Sequence, residues 1–182
     1  EYRYKRIVES NEGGTMQTVY LAGGCLWSVQ YFMNTIPGVV ATEAGRANGK
    51  TDSLSSPYDG YVECVKVTYD EQQISARELT GHLFEIIDPY SINHQGMDYG
   101  EKYRTGVYST DENILKEARQ FIAERPDADL IQIEVRPLTQ YVPSAPEHQN
   151  HLERYPEDHY LCSIPWSLLK KYRHNQAVRQ PD

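Results

Sequence analysis

Residues 18–22 alternate polar and apolar (Thr-Val-Tyr-Leu-Ala), and then the spacing changes: Val29, Phe32, Met33 and Ile36 recur at i, i+3, i+4 and i+7. The first pattern is that of a strand, the second that of a helix with one buried face. The helix begins around Cys25 and stops before Pro37, whose ring cannot continue it. Residues 39–44 read as a second strand closed by Gly45, residues 46–60 as a long loop rich in Gly, Ser, Asn, Asp and Pro, and residues 61–69 as a third strand. Ser75 and Glu78 form a capping box for a helix whose apolar face is Leu79, Leu83, Ile86 and Ile87, ending at Asp88-Pro89. Residues 90–104 carry no period and make a second loop, which leads into a short strand at 105–108. A helix over 111–124 turns Ile114, Ala118, Phe121 and Ile122 inward, and a strand over 130–135 puts Ile131, Ile133 and Val135 on one face. The first six elements spell β-α-β-β-α-β, which predicts an α+β, two-layer ferredoxin-like sandwich with a helix and a strand appended.

Composition bounds this picture without changing it. A chain of 182 residues, 39% hydrophobic and 24% charged, suits one domain with a sizeable core. That domain is expected over 17–169, after an extension or linker at 1–16 that ends at Met16, and before a polar tail at 170–182. A formal net charge of -8 argues against nucleic acid or an anionic membrane as partner. No apolar run approaches the ~20 residues that span a bilayer. Three cysteines do not make a disulfide scaffold, so the thiols read as catalytic or structural. The cytoplasm is the favoured compartment, and a monomer is expected.

Cys25 carries the sharpest chemistry, because it stands where a strand gives way to a helix. Unpaired N–H groups and the positive dipole end favour a thiolate there, and Gly23-Gly24 lets the backbone turn tightly and keeps the sulfur accessible. In the third strand Glu63 shares a face with Val65 and Val67, whereas Cys64, Lys66 and Thr68 point the other way. Desolvation on a core face would let Glu63 hold a proton near neutrality, as a proton donor requires. Cys64 is expected to be packed and inert. His148, His151, His159 and Cys162 lack a Cys-x-x-Cys or His-Glu-x-x-His pattern, so no metal is expected. A cysteine hydrolase, with Cys25 as acyl nucleophile and His148 as base, is one alternative class; a non-catalytic binding module is another.

Gly-Gly-Cys-Leu-Trp at 23–27 resembles the Gly-Cys-Phe-Trp signature of A-class peptide methionine sulfoxide reductases. Val62-Glu63, the run 95–104 (Gln-Gly-Met-Asp-Tyr-Gly-Glu-Lys-Tyr-Arg) and Glu147-His148-Gln149 follow in that family's order, so the resemblance spans roughly residues 18–162. It implies reduction of methionine S-sulfoxide, free or in peptides and proteins, with no cofactor. Cys25 would attack the sulfur and become a sulfenic acid while Glu63 protonates the oxygen. Trp27 matches the family tryptophan of the methyl slot and Leu26 replaces its phenylalanine. Tyr58 and Tyr103 resemble the tyrosines that hold the sulfoxide oxygen, Asp98 an aspartate at the substrate's amide, and His148 a histidine at the site's edge. Cys162 and Cys64 are both candidates to resolve the sulfenic acid; the resemblance favours Cys162 and a Cys25–Cys162 disulfide reduced by thioredoxin.

Overall fold

The computed structural model describes residues 15–161; residues 1–14, Cys162 and the tail 170–182 lie outside them. Eight strands and four α-helices fall in the described region: β1 Met16–Gly23, α1 Leu26–Met33, β2 Val39–Ala47, β3 Val62–Asp70, α2 Ala76–Ile86, β4 His94–Gln95, β5 Asp98–Tyr99, β6 Thr105–Ser109, α3 Glu112–Ala123, β7 Glu134–Pro137, β8 Tyr141–Pro143 and α4 His151–Arg154. Six strands form one sheet in the order β7-β6-β1-β3-β2-β8, and β4 with β5 makes a separate small ribbon. Only the β6–β7 pair within that sheet is parallel.

The alternation along β1 and β3 decides what each face of the sheet buries. Val19, Leu21, Val65 and Val67 face the helices and meet Phe32, Met33 and Ile36 of α1 and its exit, Leu79 and Leu83 of α2, and Ile114 and Ala118 of α3. Each fully buried side chain of this size contributes about 1.5–3 kcal/mol. Val62, Cys64 and Tyr108 face the opposite side, where Tyr20, Leu138 and Tyr141 pack on them. The capping box of α2 is present, with the Ser75 hydroxyl accepting from the Glu78 N–H.

Four local expectations change. Gly45 does not end β2; the strand runs on to Ala47, and the glycine makes room for Tyr141, whose ring a Cβ there would meet at 2.5 Å. The 90–104 loop is partly regular, since a turn through Gly96, at φ 57°, joins β4 to β5, and a 3-10 turn follows at Glu101–Tyr103. The strand expected over 130–135 starts later. The Gln132 N–H is taken by the Pro89 carbonyl at 2.8 Å, and pairing with β6 begins at Glu134. Finally, β8 and α4 were not foreseen; both are too short to show a period.

Candidate active site

The turn from β1 into α1 is built around Gly24. Its φ of +90° is one that L side chains rarely adopt, and a Cβ there would lie 2.7 Å from Cβ of Gln95. Gln95 in turn fixes its own loop, accepting from the Asp88 N–H at 2.8 Å and donating to the Asp88 carbonyl at 2.8 Å. The glycine therefore lets the 90–104 loop dock against the residue that follows it, Cys25, which caps α1 with φ −63° and ψ 122° and is half-buried.

Glu63 arrives from β3, opposite Arg46 of β2 and on the same face as Val65 and Val67. Its Oε1 accepts from the Leu26 N–H at 3.4 Å, so the carboxyl sits at the first turn of α1 beside Cys25. Its Oε2 lies 4.0 Å from Nζ of Lys102. Burial is the largest influence on Glu63 and raises its pKa above the ordinary carboxylate range. The Leu26 N–H, Lys102 and Arg46 pull it down, and Asp98 pushes it up.

The thiol behaves otherwise than the helix terminus alone suggests. Burial pushes Cys25 up to about 11, against the pull of the Trp27 and Ser28 N–H groups, and the carboxylates of Glu63 and Asp98 add to the rise. The helix terminus acts with the expected sign and is outweighed. Burial thus raises both groups, so Cys25 and Glu63 each hold a proton to higher pH than an exposed thiol or carboxyl would.

The other residues singled out in the sequence are distributed as follows. Asp98 in β5 and Tyr103 at the end of the 3-10 turn join the site. The charge of Asp98 reaches Cys25, Glu63 and Tyr103, and the Tyr103 phenol is raised first by burial and then by Glu63. Trp27 is half-buried and stacked face to face on His151, with centroids 3.7 Å apart and planes 5° from parallel. Leu26 is buried in the core cluster. The Tyr58 side chain is exposed, and its hydroxyl donates to the Tyr61 carbonyl at 2.9 Å, so the structure turns it back on its own loop. His148 is exposed on the 3-10 turn Pro146–His148. Cys64 is fully buried on the opposite face, its thiol pushed far up by that burial.

Five residues matter more than sequence reasoning suggested. Gln149 Oε1 accepts from the Ala44 N–H at 2.8 Å, and its Nε2 donates to the Ala44 carbonyl at 2.9 Å, so a side chain completes the edge of β2. Gln30 and Asn34, polar positions on an otherwise apolar helix, tie α1 to this segment through Gln149, Asn150 and Glu153. That i, i+4 polar pair was the available signal. His151, weighed before only as a metal ligand, backs Trp27 and has its Nε2 2.7 Å from Asp158 Oδ2. Lys102 supplies the ammonium nearest Glu63. Among the described residues no group of three or more His, Cys, Asp or Glu side chains is placed to hold a metal ion.

Comparison with known proteins points to one family. Residues 17–181 match the family model of peptide methionine sulfoxide reductase. The peptide methionine sulfoxide reductase MsrA of Clostridium acetobutylicum is 36% identical over 165 residues, covering 86% of this chain and 100% of that protein. Among solved structures, reduced Mxr1 from Saccharomyces cerevisiae superposes with a TM-score of 0.74 at 27% identity, over 80% of this chain and 89% of that one. Mxr1 in complex with Trx2 superposes with a TM-score of 0.56 at 22% identity, over 77% of this chain and 87% of that one. A cysteine at a helix N-terminus, with a half-buried carboxyl at that helix's first turn, is thus found in a chain matched to one family model over nearly its whole length: it belongs to the peptide methionine sulfoxide reductases, MsrA class.

Proposed function

We propose that the protein reduces the S epimer of methionine sulfoxide, free or in peptides and proteins, by oxygen transfer to Cys25. The observation that carries this reading is the placement of Glu63 at the first turn of α1, where its carboxyl meets the N–H of the residue after Cys25. A sulfoxide sulfur is a poor electrophile until its oxygen is protonated, and a thiol is a poor nucleophile until it loses its proton. One proton moved from Cys25 to Glu63 meets both needs without changing the charge of the site. The thiolate then attacks the sulfoxide sulfur as Glu63 protonates the oxygen, methionine leaves, and the oxygen ends on Cys25 as a sulfenic acid. Trp27, held by His151, would wall the slot for the substrate methyl, with Leu26 behind it in the core; Tyr103 would hold the sulfoxide oxygen and Asp98 the substrate's amide region. Tyr58 would join Tyr103 by releasing the Tyr61 carbonyl, and His148 would border the site.

For recycling, the Cys162 thiol would attack the sulfenic sulfur, release water and form a Cys25–Cys162 disulfide, which a dithiol protein of the thioredoxin type would reduce. The complex of Mxr1 with Trx2 supports that choice of reductant. The same frame is read as ferredoxin-like: β6-β1-β3-β2 is an antiparallel four-strand run with α1 and α2 packed on one face. The test is incubation with each sulfoxide epimer of a blocked methionine and a dithiol, with methionine quantified. Turnover of the S epimer alone is expected; turnover of both, or of the R epimer only, rejects the reading.

A further inference from the structure

Glu63 is the group on which the shared proton must arrive, so what faces it decides when the pair stops working. From α1 it meets the Leu26 N–H and the Cys25 thiol; from β2, Arg46; from β5, the Asp98 carboxylate; from the 3-10 turn, Tyr103 and Lys102. The two cations are not equivalent. Arg46 donates through Nη1 to the Leu54 carbonyl at 3.2 Å, and its guanidinium lies 4.4 Å from the Tyr61 ring centroid. Lys102 projects over the neighbouring Tyr103 ring, 5.1 Å from its centroid, and its ammonium stands 4.0 Å from Glu63 Oε2. The Lys102 side chain is 39% exposed and that of Glu63 17%, so the pair bridges solvent and the interior.

We infer that Lys102 is a positioning residue for the shared proton: its ammonium, 4.0 Å from Glu63 Oε2, favours the carboxylate form and so sets how acidic the medium can become before the site takes a second proton. This rests on the acid role of Glu63 proposed above. With one proton on the pair, the form with Glu63 protonated and Cys25 ionised is reached by internal transfer. With two, Cys25 stays a thiol and attack stops. Lys102 favours the carboxylate over the protonated acid, which holds the second proton off to lower pH.

The experiment is single-turnover methionine release from a blocked methionine S-sulfoxide, without reductant, across pH 4 to 9, each profile normalised to its own plateau. Wild type, Lys102→Met, Lys102→Arg and Glu63→Gln are compared, with circular dichroism at each pH to confirm folding. In wild type the rate climbs along an acid limb and levels off. In Lys102→Met the midpoint of that limb moves up by about half a pH unit, the size expected of a partly exposed ion pair. Lys102→Arg restores it, because charge rather than shape is responsible. An unmoved midpoint in Lys102→Met, or an equal shift in Lys102→Arg, overturns the role of Lys102 and leaves Glu63 in place. Glu63→Gln, compared without normalisation, climbs across the whole range, and an acid limb that still levels off in it overturns both.

Discussion

At the scale of single residues, Cys25 and Glu63 define one titrating unit, and the sign of its pH dependence follows. On the proposed mechanism both groups hold protons in acid and attack would stop; where the pair holds one proton the rate would be flat; above about 11, where Cys25 ionises, no proton would be left for the sulfoxide oxygen. Single-turnover methionine release should trace that plateau. Glu63→Gln keeps the shape and removes the transferable proton, so release near neutrality should fall by ~10²–10⁴-fold. The plateau should also vanish, the rate now climbing with pH as the thiolate fraction grows. A variant that keeps both rate and plateau would put the proton elsewhere, with Tyr103 next in line. Cys25→Ser should abolish release even with excess dithiol, and turnover within about tenfold of wild type would remove Cys25 as the nucleophile. Residue types and alternation made Cys25, Glu63 and the packed Cys64 legible in the sequence. The protonation state was not, because a helix terminus is visible in a sequence and the depth of burial opposing it is not. Lys102 and His151 were missed for a related reason: each acts through a contact between segments far apart in the chain.

At the scale of elements, the site is an assembly of loop on turn, and Gly24 is where the two meet. Gly24→Ala would impose a strained backbone at φ +90° and press a methyl against Gln95. The strain costs about 1–3 kcal/mol, and the 90–104 loop that carries Asp98 and Tyr103 should undock. Denaturant unfolding should show the loss of stability and steady-state kinetics a raised KM; an unchanged KM would mean that the loop is positioned without Gln95. Gln149→Leu tests a second joint. It takes the acceptor from the Ala44 N–H at the β2 edge, while the Ala44 carbonyl keeps the Ser144 N–H at 2.9 Å, so the cost is about 1–3 kcal/mol for the one group left unpaired, read as a loss of stability in denaturant unfolding. Strong periods carried the sequence reading of α1, α2, α3, β1 and β3. The β4–β5 ribbon, β8 and α4 hold two to four residues each, too few for any period, and β7 was displaced by a backbone hydrogen bond from Gln132 to Pro89 that alternation cannot anticipate.

At the scale of the whole molecule, the sheet separates two thiols that stand a helix, a strand and a loop apart in the sequence. Cys25 lies at the helix-covered side with Glu63, whereas Cys64 is sealed on the opposite face among Val62, Tyr108 and Tyr141. A sulfenic acid on Cys25 would reach Cys64 only if that second layer opened, which is consistent with the proposal of Cys162, outside the described residues, as the resolver. Pre-reduced wild type given substrate and no reductant should release about one methionine per chain and end with a Cys25–Cys162 disulfide, detected by mass spectrometry of a non-reduced digest. Cys162→Ser should also release about one equivalent but stop at the sulfenic acid. Small thiols that reach Cys25 should restart it, and thioredoxin, which needs a disulfide to attack, should restart it poorly. Cys64→Ser should keep thioredoxin-driven turnover, with some loss of stability because a hydroxyl replaces the thiol in an apolar cluster. A Cys25–Cys64 disulfide in wild type, or full thioredoxin-driven turnover by Cys162→Ser, would show that the second layer opens during the cycle and that the resolver has been misassigned.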